Sequence, residues 1–309
     1  MTDKRFDNQS QSFNPRYPVK IATRMLALLV IVLPMALHAA PEVVGLETAG
    51  LNAVELETFE PWPDSSIISG VSEHAAKYLH RGEFVAELYE AKPVVLDASF
   101  PYPMDEFVWV LDGELILTHV DGQSESYVAG DALIVPKGWK GTWENRGNFR
   151  EFIVIETRAS DSSENILKMI GLIIAGWFRD VPHVVPLPAE QLARVELQPV
   201  EPTAGDLELL DDPDSWKGAT SKTLYEGEFV MELYASPPAI AQISAPFPYD
   251  EFVWMLSGEL VLTPKGGEAV TYGPGEGVVV PKGFIGTWET RGDYRELIII
   301  ETKAMNRVH

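Results

Sequence analysis

Apolar residues occur in short runs along this chain, and polar turn residues separate the runs. In VWVLDGELILT, residues 108–118, one apolar run ends at Asp112-Gly113 and another begins. ALIVP at 132 and FIVIET at 152 are rich in Val, Ile and Phe, and glycines and prolines lie between such runs. Runs of this length and composition are typical of β-strands. Short strands at this spacing predict an all-β antiparallel sandwich or barrel.

The strand pattern occurs twice. Residues 82–159 and 227–304 align without a gap at an offset of 145, and 42 of the 78 positions are identical. GEFVAELY at 82 returns as GEFVMELY at 227, and VPKGWKGTWENRG at 135 returns as VPKGFIGTWETRG at 280. The period is far too long for a solenoid, so each copy is predicted to be a domain.

A segment of different character separates the copies. Ser160–Ser163 can cap a helix that begins near Glu164, and the apolar run 166–178 predicts a packed helix or strand. Residues 182–188 begin and end with proline and predict an extended linker. The predicted organisation is a signal peptide at 1–39, a first domain at 40–160, a linker at 161–196 and a second domain at 197–309.

The N-terminus has the composition of an export signal. Five basic residues precede an apolar run from Met25 to Leu37, and small residues follow at 39–40. This is a basic n-region, an h-region and a cleavage site, with cutting predicted after Ala39. The alternative is an uncleaved membrane anchor, although a span needs about 20 apolar residues. We therefore expect a periplasmic or secreted protein with no membrane span once the leader is removed.

Composition narrows the possible chemistry. The chain has no cysteine, which excludes disulfides, thiolate metal ligands and a Cys nucleophile. The net charge is −22, and such a surface repels nucleic acid. We expect no nucleic-acid partner; the charge itself serves solubility or favours neutral and cationic ligands.

The repeated motifs resemble those of the cupin superfamily. Glu106 and Gly113 match the end of the first cupin motif, G-x5-H-x-H-x3,4-E-x6-G. The second motif, G-x5-P-x-G-x2-H-x3-N, is matched by Gly130, Pro136, Gly138 and Asn145. The GTWE box at 141 and 286 is similar to the two-domain subgroup that includes (S)-ureidoglycine aminohydrolase. The resemblance implies two tandem jelly-roll (double-stranded β-helix) barrels with a short helical or extended linker, and a homodimer.

The histidine ligands of that family are missing from both copies. Phe100 and Tyr102 stand where the family has its His-x-His pair, and Gly141 replaces the histidine of the second motif. The second copy has Ala245, Phe247 and Gly286 at these positions. The remaining histidines form no close pair in the sequence. We therefore expect neither barrel to hold a metal or another cofactor.

Rings and one acid are predicted to line each barrel instead. Side chains alternate faces along a strand, so Glu106, Val108 and Val110 are expected to share the inner face. Gly141 and Gly286 are expected to leave room beside the Trp residues. Glu87 and Tyr89, repeated as Glu232 and Tyr234, can join the lining. The predicted pocket residues are Phe100, Tyr102, Glu106, Trp139, Trp143 and Asn145 in the first copy and Phe247, Glu251, Phe284 and Trp288 in the second, with Thr290 in place of the Asn.

These residues allow two interpretations. Aromatic faces attract cations and a buried carboxylate supplies the counter-charge, which favours an amine, guanidine or ureido ligand, or a sugar stacked on Trp. The aromatics can equally fill the barrel. Lys137, Arg146 and Arg150, which recur as Lys282, Arg291 and Arg295, could then neutralise the acids. The recurring set Glu144, Arg146, Arg150 and Glu151 is interpreted as a salt-bridged surface ladder.

Three functions follow from these interpretations. The first is an exported, metal-free binding module for a small organic ligand, with the first barrel as its site. The second is a hydrolase or isomerase of the ureidoglycine aminohydrolase-like type, working through an unusual metal set such as Glu106, Glu87 and Tyr102 or through acid/base chemistry. The third is a dimeric structural scaffold with filled barrels.

Overall fold

The computed structural model describes residues 41–157, 180–201, 214 and 217–307. The predicted leader, the helix expected near Glu164 and the apolar run 166–178 lie outside these residues. No helix among the described residues is long and apolar enough to cross a bilayer.

Almost all of the regular structure is β-strand. The strands are β1 (Val44–Leu46), β2 (Glu57–Thr58), β3 (Ile67–Gly70), β4 (His74–Arg81), β5 (Phe84–Ala91), β6 (Val94–Ala98), β7 (Glu106–His119), β8 (Ser124–Val128), β9 (Ala132–Val135), β10 (Gly141–Glu156), β11 (Val185–Leu187), β12 (Gln198–Pro199), β13 (Thr220–Glu226), β14 (Phe229–Ser236), β15 (Ala239–Ile243), β16 (Glu251–Pro264), β17 (Val270–Tyr272), β18 (Gly277–Val280) and β19 (Gly286–Glu301). The short helices are α1 (Thr48–Ala53), α2 (Ala189–Leu192) and α3 (Thr302–Met305), and residues Asp64–Ser66 form one 3-10 turn.

Each repeat folds into one β-barrel built on an antiparallel sheet. In barrel one the strand order is β11-β9-β7-β10-β5-β4-β2, with β6 on β10, β3 on β6 and β8 on β7. In barrel two it is β1-β18-β16-β19-β14-β13-β12, with β15 on β19 and β17 on β16. The predicted all-β architecture with one barrel per repeat is confirmed.

The two repeats exchange one strand each. Strand β1 precedes barrel one in the chain but pairs with β18 of barrel two. Strand β11, which lies within the predicted linker, pairs with β9 of barrel one. The segments that carry them, 41–58 and 182–199, are themselves repeated at an offset of 141, with eight of 18 positions identical. The repeat therefore begins earlier than the long gap-free alignment indicates.

The long strands bend at repeated glycines. Gly113 in β7 has φ +77°, and a Cβ there would lie 2.6 Å from the carbonyl oxygen of Arg146. Gly258 in β16 has φ +72° and meets Arg291 in the same way. Only glycine combines this backbone with so close an approach. The register of β7 with β10 and of β16 with β19 shifts close to these glycines.

A shared core joins the barrels. Phe107 and Trp109 of β7 point away from the interior of barrel one and pack with Phe252 and Trp254 of β16. The Trp109 and Trp254 ring centroids are 4.5 Å apart. One face of β7 thus fills its own barrel while the other forms the contact between repeats.

Candidate functional site

The inner wall of barrel one follows the predicted alternation along β7. Val108 and Val110 belong to the core inside the barrel, and Glu106 is 5% exposed. Their neighbours Phe107 and Trp109 belong to the core between the barrels. Period-two alternation therefore places Glu106 on the interior side of β7.

Glu106 belongs to a chain of contacts that also contains Tyr102, Trp143 and Asn145. The Tyr102 ring stacks on Trp143 with centroids 6.0 Å apart. The Tyr102 hydroxyl donates a hydrogen bond to Glu106 Oε2. On the other side, Trp143 Nε1 donates to Asn145 Oδ1 at 2.9 Å. The structure brings together four of the predicted pocket residues in one connected chain.

Two further carboxyl groups face the same interior. Glu151 is 3% exposed, and its Oε2 atom is buried without a hydrogen-bond partner. Burial, with a smaller effect from the charges of Glu106 and Glu87, raises the pKa of Glu151 well above its usual range. Burial also raises the pKa of Glu106 to about 7, against an opposing effect of the Tyr102 hydroxyl, and that of Glu87 to about 7. Burial therefore favours the protonated form of all three acids.

Glu151 corrects part of the surface-ladder interpretation. Arg146 does form exposed contacts with Glu144 and Glu114, as a ladder requires. Glu151, however, pairs across strands with Tyr89 and Val110 and lies inside the barrel. The alternation that puts Trp143 and Asn145 inside continues along β10 to Glu151, so the signal was present in the sequence.

The repeated basic residues do not neutralise these acids. Lys137 pairs with Glu228 of the other repeat, and Arg150 pairs with Glu90. Among the described residues, no cation forms an ion pair with Glu87, Glu106 or Glu151. The salt bridges expected for Glu106 are therefore absent from the described part of barrel one, because the basic side chains pair with other acids.

The space expected beside Gly141 is filled. A Cβ on Gly141 would lie 2.0 Å from the carbonyl oxygen of Thr118 and 2.9 Å from the ring of Trp139, which is fully buried. A Cβ on Gly286 would meet Thr263 at 2.2 Å and Phe284 at 2.9 Å. Close strand packing thus leaves no room for a side chain, and the expectation of free space is wrong.

The same packing bears on the metal that the cupin resemblance implies. Gly141 occupies the position of the second-motif histidine, and no side chain fits there. Phe100 occupies a His-x-His position but is 64% exposed, because it lies in the loop between β6 and β7 where strand alternation does not extend. Its expected place in the pocket is therefore corrected. The residues present do not fit the family's metal centre.

Barrel two contains the matching rings with different polar contacts. Phe247 stacks on Trp288 with centroids 6.1 Å apart, as Tyr102 does on Trp143, but Phe247 has no hydroxyl to offer Glu251. Phe284 is fully buried, as Trp139 is. Thr290, in place of Asn145, donates to the Pro237 carbonyl at 3.1 Å.

One difference between the barrels concerns a buried acid. Glu296, the counterpart of Glu151, accepts a hydrogen bond from the Tyr294 hydroxyl. Barrel one has Phe149 at the position of Tyr294, which leaves Glu151 Oε2 unpartnered. Barrel two satisfies its acid internally, whereas barrel one has unused hydrogen-bonding capacity.

Trp62 and His74 cover Tyr89 of barrel one, and no sequence pattern indicated this role. Trp62 Nε1 donates to the Tyr89 hydroxyl at 3.3 Å, and the Trp62 ring stacks on His74 with centroids 5.1 Å apart. His74 lies 5.6 Å from the Tyr89 ring. Beside this cover is an open cleft of about 530 Å³, whose lining residues are Thr58, Phe59, Glu60, Pro61, Ser72 and Glu73.

The buried acids predict a stability that falls as pH rises. The pKa of Glu296 is raised by burial from 4.5 to about 8, so the folded state retains a proton that the unfolded chain loses above about pH 4.5. Stability from Glu296 is therefore full below pH 4.5 and is lost as pH rises to about 8. Through Glu296, the free energy of unfolding of the wild-type protein should fall by on the order of 3–5 kcal/mol between pH 5 and 8. Glu296→Gln should not show this fall.

Urea unfolding followed across this pH range measures the effect. The exposed Glu268→Gln is the control and should leave the pH profile of the wild-type protein unchanged. Parallel profiles for Glu296→Gln and wild type would contradict a raised pKa at Glu296.

Comparison with known proteins agrees with this architecture. The family model described as EutQ-like cupin domain matches residues 81–151 and 241–295. A solved structure of a protein of unknown function from Pseudomonas syringae pv. tomato aligns at 18% identity and a TM-score of 0.58, covering 84% of this chain and 99% of that one. A Cupin 2 conserved barrel domain protein from Leptotrichia buccalis aligns at 16% identity and a TM-score of 0.46, over 76% of this chain and 92% of its own. No curated protein matches the chain.

Proposed function

Because the chain carries two cupin domains in tandem, we propose that the first barrel binds a small organic ligand with a cationic or strongly hydrogen-bonding nitrogen group. The observation that carries this proposal is the chain Trp143–Tyr102–Glu106. In it a stacked ring pair ends on a buried acid that no described cation neutralises. Ring faces and a carboxylate together suit an amine, guanidine or ureido group.

The neighbouring acid supports the same class of ligand. An unpartnered carboxyl oxygen inside a protein costs free energy, and a donor on a ligand would recover it. Glu151 Oε2 is such an atom. With Glu106 and Glu87 it would give the ligand several acceptors in a region without competing cations.

Barrel two has a structural role in this proposal. Its acid Glu296 is satisfied by Tyr294, and its Thr290 is bonded to the neighbouring loop. Barrel two therefore provides a matched internal control for each substitution in barrel one. Export of the chain and a homodimer belong to the same proposal; they rest on the leader sequence and on the cupin resemblance.

Glu106→Gln tests the proposal against Glu251→Gln. We expect butylamine, methylguanidine or methylurea to raise the melting temperature of the wild-type protein. Glu106→Gln should weaken that binding by about tenfold or more, because it replaces a buried acid, whose two oxygens can both accept hydrogen bonds when ionised, by a neutral amide. Glu251→Gln should leave the binding unchanged.

The readouts are thermal shift and titration calorimetry of the wild-type and both variant proteins. An equal loss in both variants would place binding outside barrel one. No shift with any of the three compounds would contradict the choice of ligand class and favour the scaffold function.

A second function is favoured by one observation. Glu106 has a pKa of about 7 and is hydrogen-bonded to Tyr102, which suits a general acid or base at neutral pH. The GTWE-box resemblance adds a ureido or amino substrate to this second candidate. Turnover of such a compound, followed by NMR and lost in Glu106→Gln, would distinguish an acid/base enzyme from a binding module.

A further inference from the structure

Two histidines and an aspartate from distant parts of the chain meet at one end of barrel one. His119 Nδ1 lies 3.0 Å from Oδ1 of Asp121, and His183 Nε2 lies 3.5 Å from Oδ2 of Asp121. Among the residues that the structure describes, only this group has three His, Cys, Asp or Glu donor atoms within 4.8 Å of one another. We propose that His119, Asp121 and His183 form a site for a divalent transition-metal ion such as Zn²⁺.

The spacing and the donor types fit such an ion. Zn²⁺ binds imidazole nitrogen and carboxylate oxygen at about 2.0–2.2 Å, which places tetrahedral donors roughly 3.3 Å apart. His119 Nδ1 and His183 Nε2 each face a different oxygen of Asp121, at 3.0 and 3.5 Å, so both imidazole nitrogens lie within reach of the same carboxylate. Two imidazoles and one carboxylate are a donor set that first-row divalent ions prefer over Mg²⁺ or Ca²⁺. Three protein ligands leave a coordination position for water.

The fold holds the three ligands in place. His119 is the last residue of β7, and Asp121 lies in the following turn, where its Oδ1 accepts the Gln123 amide at 2.9 Å. His183 directly precedes Val184, which packs on the core of barrel one, and β11, which pairs with β9. The strand exchange between the repeats therefore delivers His183 to the hairpin that carries the other two ligands.

The group is open to solvent on one side. The side chain of His119 is 9% exposed, whereas those of Asp121 and His183 are 40% and 54% exposed. The two imidazole rings lie with their centroids 3.9 Å apart.

Barrel two lacks the site. Pro264 and Gly266 stand at the positions of His119 and Asp121, and Glu42 stands at the position of His183 in the other exchanged segment. One ion per chain is therefore expected. The site shares no residue with the Glu106 pocket, so the metal proposal does not rest on the proposed ligand-binding function.

Metal titration of the intact protein tests the proposal. Protein without a histidine tag, stripped with a chelator, should bind one Zn²⁺ or Co²⁺ per chain, and bound Co²⁺ should give a visible absorption band. His183→Ala and Asp121→Asn, both at partly exposed positions, should each lower Zn²⁺ affinity by at least about tenfold. His74→Ala, a histidine outside the cluster, should leave Zn²⁺ affinity unchanged.

Added Zn²⁺ should also raise the melting temperature of wild type and not of His183→Ala, because the ion joins the exchanged segment to the β7 hairpin. No binding by wild type would overturn the proposal, as would an affinity that both variants retain. In either case the cluster would be an ordinary surface ion pair. Glu106→Gln should bind Zn²⁺ like wild type, which separates this result from failure of the ligand proposal.

Discussion

Asp105→Ala and Asp250→Ala should each lower the free energy of unfolding by about 3–5 kcal/mol, the range for breaking a buried, hydrogen-bonded charge. Asp250 accepts hydrogen bonds from the backbone amides of Glu83 at 2.6 Å and Lys282 at 2.7 Å, and from His80 Nε2 at 2.9 Å. Removing the carboxylate leaves these donors without a partner.

Asp105 makes the symmetric set of contacts in the opposite direction. It accepts from the amides of Lys137 at 2.7 Å and Glu228 at 2.6 Å, and from the Tyr225 hydroxyl at 2.7 Å. Each aspartate therefore reaches the β-hairpin turn of the other repeat. Gly82 lies in the turn that Asp250 reaches. A Cβ on Gly82 would lie 1.8 Å from Asp250 Oδ2, so this turn must carry glycine for Asp250 to approach.

Urea unfolding monitored by Trp fluorescence measures the loss. Asp97→Ala is the matched control, because Asp97 is exposed and accepts the local Ser99 amide at 2.9 Å. We expect it to change stability by less than about 1 kcal/mol. Losses below that level at Asp105 and Asp250 would mean that the contacts between the repeats are dispensable.

The Asp250 contribution should also depend on pH. Burial opposes its ionisation, but hydrogen bonds from His80 and from the amides of Lys282 and Glu83 outweigh burial and lower its pKa. A lowered pKa means that this stability is present at neutral pH and is lost as pH falls through the folded-state value. The direction is opposite to that expected for Glu296.

Trp254→Ala should cost about 3–5 kcal/mol, as is usual for truncating a large buried aromatic. Trp254 is 4% exposed and lies 4.5 Å from Trp109, ring centroid to ring centroid, in the core that both barrels share. Because the lost contacts join the repeats, calorimetry should show the single unfolding transition of wild type separating into two.

Trp254→Phe is the matched control. The indole Nε1 of Trp254 is buried without a hydrogen-bond partner, so replacing the ring by an apolar one removes an unsatisfied donor. We expect a loss below about 1.5 kcal/mol, typical of apolar replacement in a core. A small loss in Trp254→Ala, or two transitions already in wild type, would contradict a core that couples the barrels.

Much of the fold could be predicted from the sequence because it depends on local patterns. Strand alternation correctly placed Glu106, Val108 and Val110 inside, and it extends to Glu151 along β10. The prediction failed at Phe100, where a loop interrupts the alternation, and at Gly141, where strand packing closes the expected space.

The internal duplication, the strand periodicity and the missing histidine ligands were determined by the sequence itself, since each is a property of residue order and needs no distance. Only the tertiary structure decided what depends on contacts between distant segments. In the structure Lys137 forms an ion pair with Glu228, Asp105 accepts a hydrogen bond from the turn of the other repeat, and the His183 ring stacks on His119. A sequence records which donors and acids exist. Strand exchange and barrel closure determine which of them meet, because partners more than 60 residues apart have no local pattern to reveal them.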